Sequence, residues 1–295
     1  GVLRRGVKPG VILGHEVSGT VVQTGEGVTT IAMGDRVVSL LTNACGRCER
    51  CRSGREHRCI YGEGIGHGRD GGFAEYVALS EFSLVKLPED VDLTGAALLA
   101  CPMGVALQAV QNVAEVRPGE TTVVTGAGGG LGVHGLQMAA ALGSRVLAVT
   151  TSEDKLGRFA SLGAEEILHT DELDFSEMVL ALTEDEGAEV VFDTVGSVLF
   201  SSSWRSLAQF GRLVLLGEVA GKAVKLNLAE IIFRDARILG SSGVSRAVIE
   251  QVVDMVSQGQ VAPVVGGAMP LEEAATAFDL LTGRSIFGRL VLTGR

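Results

Sequence analysis

From Thr121 to Leu239 the chain alternates short apolar runs with helical ones, and no other feature narrows the possible folds as far. Thr121–Thr125, Arg145–Thr150, Glu166–His169, Val190–Asp193, Arg212–Leu216 and Arg237–Leu239 read as strands. Between them Leu131–Leu142, Glu153–Leu162 and a stretch near Phe175–Thr183 read as helices. Strands that are apolar throughout, rather than on alternate residues, are buried on both faces. When they alternate with helices they build a parallel, doubly wound α/β sheet.

The first of these strands runs into Thr125-Gly126-Ala127-Gly128-Gly129-Gly130-Leu131-Gly132 and then a helix. Residues without side chains let a backbone approach a pyrophosphate, and a helix start offers free N–H groups and the positive end of a dipole. The strict G-x-G-x-x-G spacing fails, because the sixth position from Gly126 is Leu131. Gly129-Gly130-Leu131-Gly132 still supplies a tight turn and close helix–sheet packing, with backbone N–H groups expected to hold the phosphates. The competing reading is a plain turn-rich loop. The second strand ends Thr150-Thr151-Ser152, with Lys155 close behind. An acidic residue at this point would accept from a ribose 2′-hydroxyl and repel a 2′-phosphate. Hydroxyls and a lysine favour the phosphate, so NADP(H) is expected over NAD(H), unless Lys155 is an ordinary solvated helix residue.

The first hundred residues have another texture. Val17–Thr24, Arg36–Leu41 and Phe73–Leu79 read as short strands bounded by glycine turns. Between them lie four cysteines within fifteen residues, Cys45, Cys48, Cys51 and Cys59, spaced C-x2-C-x2-C-x7-C. Two-residue gaps aim successive thiolates at one centre, and the longer return supplies a fourth vertex of a closed zinc site. The lobe is poor in apolar residues, so metal ligation has to supply its folding energy. Disulfides are disfavoured by the short intervals, and a ferredoxin-type cluster by the distant fourth cysteine and by Ile60 where Pro belongs. A second metal centre is expected from His15, which is followed at once by Glu16, and from Cys101, the one cysteine outside the lobe. A catalytic zinc takes about three protein ligands and keeps an open position, so a third ligand must come from Glu16, water or residues not present. His67, His134 and His169 lack sequence partners and read as structural. His57 lies in the lobe but is unnecessary beside four thiolates. Arg289, in a terminal strand Gly288–Thr293, is placed to pair with Glu16 if that strand returns to the first region. Two amphipathic helices, Ser245–Gln258 and Leu271–Leu281, precede it.

At 295 residues the chain has room for two domains, and 46% hydrophobic with 20% charged residues describes a globular protein. A net charge of −10 argues against nucleic acid and anionic membrane as partners. Five cysteines, four of them committed to metal, fit a reducing cytoplasm. No apolar run reaches membrane-spanning length and no signal peptide opens the chain.

Gly14-His15-Glu16, Gly34-Asp35-Arg36-Val37, the four-cysteine lobe, Cys101, the Gly126–Gly132 loop, Phe192-Asp193-Thr194-Val195-Gly196 and Gly288-Arg289-Leu290-Val291-Leu292 together resemble the medium-chain dehydrogenase/reductase superfamily in its zinc-containing alcohol dehydrogenase branch. The resemblance implies a GroES-like β-barrel catalytic domain over residues 1–101, with the zinc lobe at 45–59. It implies a Rossmann domain over 102–244 and a C-terminal segment, 245–295, returning to the first domain. The catalytic site is expected between the domains, with His15 and Cys101 as zinc ligands, Glu16 nearby, and Val195, Leu216 and Ser241 completing the cofactor-binding set. It also implies a homodimer or tetramer, built by pairing the edge strand Arg237–Leu239. In this family a further cysteine ligand and a proton-relaying Ser or Thr lie upstream of Gly-His-Glu. The fourteen residues before His15 contain no Cys, Ser or Thr, and the chain opens on Gly1-Val2-Leu3, so a missing N-terminal segment is expected rather than a degenerate metal site. Three functions follow: a zinc-dependent NADP(H) oxidoreductase of an alcohol, aldehyde or ketone; an NADPH-dependent C=C reductase of enoyl-CoA or quinone type that needs no catalytic metal; or a non-catalytic cofactor-binding protein.

Overall fold

The computed structural model describes residues 7–283 and 285–294. The chain divides into two compact units, one made of residues up to Val105 together with those from Gly243 onward, the other of Ala106–Ser242. Among the described residues no helix is long and apolar enough to cross a membrane.

The inserted unit is the doubly wound sheet. Its strands are β1 (Thr121–Val124), β2 (Arg145–Thr150), β3 (Glu166–His169), β4 (Ala188–Asp193), β5 (Leu207–Leu215) and β6 (Arg237–Gly240). They lie in the order β6-β5-β4-β1-β2-β3, with every pairing parallel. The order reverses between β1 and β4, which makes the gap beyond their carboxyl ends the place where such sheets bind ligands. One face buries Val123, Leu147, Val149, Leu168, Val191 and Leu213 against Phe175, Val179, Phe200 and Trp204. On the other face Gly135 of the helix Gly132–Ala141 lies so close to the Phe192 ring that a Cβ would overlap it. β6 lies at the edge, as its place in the sequence suggests. The expected helix Glu153–Leu162 is instead two tight 3₁₀ pieces, Glu153–Arg158 and Ala160–Leu162. Gly157 weakens helix propensity by about 1 kcal/mol relative to Ala, and left-handed Gly163 closes the second piece at φ 99°.

The other unit is built from small sheets. Ser18–Thr20, Arg36–Ser39 and Leu84–Lys86 form an antiparallel three-stranded sheet, Thr42–Asn43 pairs with Glu63–Gly64, and Val265–Pro270 runs parallel to Arg289–Thr293. Phe73–Leu79, expected as a strand, is irregular: Phe73 N–H donates to Leu13 O, while Arg69 takes Ala78 O and Asn43 takes the Ser80 N–H. These bonds replace a strand ladder at the two ends of the segment. The C-terminal segment packs within this unit. Val291 joins Ala97 and Leu98 in one apolar cluster, and Arg246 Nη1 donates to Leu84 O at 2.6 Å. The helix Arg246–Ser257 is capped by Ser245, whose hydroxyl accepts the Val248 N–H at 3.4 Å.

Beneath the sheet, Arg212 is almost fully buried and donates to both Glu120 oxygens, at 3.0 and 2.6 Å, and to Ala114 O at 2.9 Å. Burial raises the Glu120 pKa, but the hydrogen bonds and charge of Arg212 outweigh it and hold the carboxyl below its ordinary value. Its stabilising contribution is therefore present above the unfolded-state pKa and lost as pH falls through the folded one. An Arg212→Leu protein is expected to lose about 3 kcal/mol in urea unfolding at pH 7, with a smaller loss at pH 4. An equal loss at both pH values would show that packing, not the ion pair, carries the effect.

Candidate functional site

Gly14 fixes the backbone of His15. It sits at φ +94°, and a Cβ there would lie 2.6 Å from the Phe73 ring. Gly71 and Gly66 close in on its other side, where side chains would meet the Gly14 backbone. Strand-like bonds from Gly71 N–H to Ile12 O and Gly72 N–H to Gly14 O, both 2.9 Å, hold the loop. Cys101 comes from a helical turn wound wide over Leu99–Gly104, where Pro102 offers no N–H and Met103 N–H reaches back five residues to Leu98 O. Such widened turns recur at functional positions. The structure brings His15, Glu16 and Cys101 together, with their ligand atoms within 4.8 Å of one another. His15 Nε2 lies 3.8 Å from Glu16 Oε1, and Arg289 Nη2 reaches the same oxygen at 3.0 Å.

Desolvation lowers the His15 pKa, Glu16 acts in the opposite sense, and Arg289 and His67 reinforce the lowering. A neutral imidazole is the form that ligates metal. Burial first, and then the Glu16 charge, push the Cys101 thiol up to about 12. A divalent cation reverses that balance, since it deprotonates the thiol it binds. Imidazole, thiolate and carboxylate converging on one point form a donor set that fits zinc. Arg289 shares the carboxylate, so Glu16 is the ligand whose engagement is conditional.

The four lobe cysteines form a second cluster within the same unit. Sulfur separations are 3.5 Å for Cys48–Cys51, 3.8 Å for Cys48–Cys59 and 4.0 Å for Cys45–Cys51. A tetrahedron with Zn–S bonds of 2.3 Å has edges of about 3.8 Å, so the cage is already the right size. Backbone N–H groups of Ile60 and Cys51 pull Cys48 down to about 6, while burial pushes Cys51 up to about 12. Four thiolates in this space require a cation between them. A cation held by all four sulfurs would have no open position.

In the inserted unit every expected cofactor residue lies beyond a strand's carboxyl end: Gly126 to Gly132 after β1, Thr150, Thr151, Ser152 and Lys155 at or after β2, Val195 after β4, Leu216 after β5, Ser241 after β6. Gly132 is obligatory, because a Cβ would collide with Gly126 O. Gly129 is spent differently from expectation: its N–H closes the turn on Gly126 O at 2.9 Å rather than waiting for a phosphate. At Gly129 a Cβ would meet only that carbonyl, so the loop surface stays open to a ligand. Lys155 is buried, not solvated; its Cδ lies 2.8 Å from where a Gly128 Cβ would be, so its stem covers the loop. Burial lowers its pKa. These features place an open glycine turn and a buried lysine together at the ligand end of the sheet.

Two carboxylates to which no sequence motif assigned a role in the site, Asp193 and Glu218, shape this end of the sheet. Asp193 is wholly buried and accepts from Thr125 Oγ1 (2.9 Å), Val195 N (2.8 Å), Gly196 N (2.9 Å) and Ser203 Oγ (2.9 Å). Glu218 accepts from the Ser197 N–H and hydroxyl and from the Ala220 and Gly221 N–H groups, and the Ser197 bonds foremost hold it down at about 2. An Asp closing an apolar strand and followed by Thr-Val-Gly was the readable signal for the first. For Glu218, exposed and in a loop, the sequence carries none.

Two family descriptions match: "Alcohol dehydrogenase GroES-like domain" over residues 1–89 and "Zinc-binding dehydrogenase" over 130–258. An acryloyl-coenzyme A reductase of Metallosphaera sedula is 37% identical over 96% of this chain and 83% of its own length. An alcohol dehydrogenase of Geobacillus stearothermophilus is 32% identical over 97% and 84%. Among solved structures, AibC superposes with a TM-score of 0.92 at 34% identity, covering 99% of this chain and 82% of its own. An NAD-dependent alcohol dehydrogenase gives 0.91 at 36%, covering 97% and 84%. The chain belongs to the zinc-type medium-chain dehydrogenase/reductase superfamily and is an oxidoreductase with GroES-like and Rossmann domains.

Replacing Cys45 and Cys48 together by Ser is expected to remove one zinc per chain and lower the unfolding midpoint while leaving nicotinamide binding in place. Metal analysis that finds the same zinc content in both proteins would rule out the tetrathiolate centre.

Proposed function

We propose that this chain delivers hydride from a reduced nicotinamide cofactor, NADPH in preference to NADH, to the β-carbon of a short α,β-unsaturated acyl-CoA thioester. A proton is added at the α-carbon, giving the saturated thioester and the oxidised cofactor. The observation that carries the reading is the match across 96% of this chain to two acryloyl-coenzyme A reductases, at 37% and 34% identity. Lys155 on the glycine loop and the absence of an acidic residue at 150–152 support the 2′-phosphorylated cofactor.

A second reading rests on its own observation. The cluster of His15, Glu16 and Cys101 favours oxidoreduction of an alcohol, aldehyde or ketone. Zinc held by His15 and Cys101 would supply Lewis acidity toward a substrate oxygen there. In either reading Arg289 orients Glu16 and the glycine turn admits the pyrophosphate.

One variant separates the two readings. His15 is half-exposed, so His15→Ala should fold. With acryloyl-CoA and NADPH deuterated at the transferred position, the wild type is expected to place deuterium on the thioester β-carbon, and the variant to retain turnover within about threefold. If acryloyl-CoA is not turned over while an aldehyde offered in its place takes the label on the carbinol carbon, with a loss of about a hundredfold or more in His15→Ala, the order of the two readings is reversed.

The edge strand β6 and the exposed Leu228, Ile232 and Phe233 of the helix before it support assembly of two copies through this edge. A Phe233→Glu protein is expected to sediment at half the wild-type mass. A wild type that already sediments as a monomer would remove the proposal.

A further inference from the structure

His169 ends β3 and is in register with Thr150 at the end of β2. In a parallel pair, residues in register send their side chains to the same face of the sheet. Val149 and Leu168, the preceding pair, belong to the apolar cluster on one face, so Thr150 and His169 belong to the other. That face is where the glycine turn leads into the helix Gly132–Ala141. The turn Glu153–Arg158 packs against β3 and lays Lys155 against Gly128. Thr150 is itself committed, its hydroxyl accepting the Ser152 N–H at 3.1 Å. His169 is not: its Nε2 is buried and has no hydrogen-bond partner among the described residues. A desolvated imidazole nitrogen without a partner is costly in a folded protein, and its commonest explanation is a ligand or ion that completes it.

We infer that His169 is a cofactor-specificity residue: its Nε2–H donates to the 2′-phosphate of NADP(H), beside Lys155, at the corner formed by the ends of β2 and β3. The inference rests on the cofactor preference proposed above and names the group that reads it. A phosphate there meets two donors of different kinds, a compact ammonium and a directional imidazole N–H. Arg158, whose charge reaches Lys155, adds positive potential, and Asp154 opposes it. A 2′-hydroxyl would leave most of this set unused. The corner therefore separates the two cofactors by an interaction gained with the phosphate, with no acidic residue required to repel it.

The test is calorimetric and needs no turnover. NADPH, NADH, adenosine 2′,5′-bisphosphate and AMP are titrated into the wild type, His169→Leu and His169→Gln. His169→Leu is expected to weaken NADPH and the bisphosphate about tenfold, the worth of one hydrogen bond to a charged group. NADH and AMP should change by less than about twofold. His169→Gln, which keeps an N–H donor, should recover part of the loss. Unchanged NADPH affinity in His169→Leu, or equal weakening of NADPH and NADH, would overturn the role of His169 while leaving the preference itself intact. A wild type that binds NADH at least as tightly as NADPH would overturn the preference and the inference with it. If His169→Leu fails to fold, His169→Gln decides: its NADPH affinity must fall between about twofold and tenfold with NADH unchanged, and any other result overturns the inference.

Discussion

One buried carboxylate holds the ligand end of the sheet in shape. Asp193 lies where the strand order reverses, at the tip of β4 and beside the tip of β1. A charge taken out of water is tolerated only where donors replace the water. Thr125 supplies one of these from the loop after β1, Val195 and Gly196 supply two from the loop after β4, and Ser203 closes the set. Thr194 completes the circuit by donating its hydroxyl to Thr125 O at 2.8 Å. The two loops that bound the ligand crevice are thus tied to one pair of oxygens, and the glycine turn leaves from that anchor. Glu218 extends the arrangement by fastening the loop after β5 to Ser197.

The other unit solves a different problem, that of bringing reactive groups together from loops between small sheets. Its sheets are short, and close glycine contacts set where its reactive groups emerge. Gly14 is gripped between Phe73 and the glycines at 66 and 71, and this sets where His15 emerges. Pro102 widens the turn that carries Cys101. The lobe has almost no apolar packing beyond Ala44 and its own sulfurs, which is consistent with a fold that depends on its ion.

Much of this was legible in the residues because it rests on local rules. Continuous apolar runs alternating with helices set the parallel sheet, and β2 and β3 fall on the expected residues. The cysteine spacing already implies a cage, since two-residue gaps permit little else. Illegible were the features set by tertiary bonding. Phe73–Leu79 has the composition of a strand, but its backbone is taken by Leu13, Arg69 and Asn43. Lys155 reads as a residue of the cofactor phosphate, but its burial over Gly128, which has no side chain to hold it off, is not legible. His169 looks structural until its strand is placed beside Thr150. Each depends on residues distant in sequence, which no local pattern encodes.

The order in which the units occur along the chain has a consequence for biosynthesis. Residues 106–242 form a compact unit interrupting another whose parts lie on both sides of it. As the chain leaves a ribosome, the sheet of the inserted unit has all its strands while its host still lacks Val265–Pro270 and Arg289–Thr293. Arg289, which holds Glu16 in the cluster with His15 and Cys101, is made after every strand of the inserted unit. The inserted sheet can therefore form before the ligand cluster is complete. Until then, His15 and Cys101 wait in an incomplete host, and a metal ion that arrives early meets a site without the guanidinium that arranges its carboxylate.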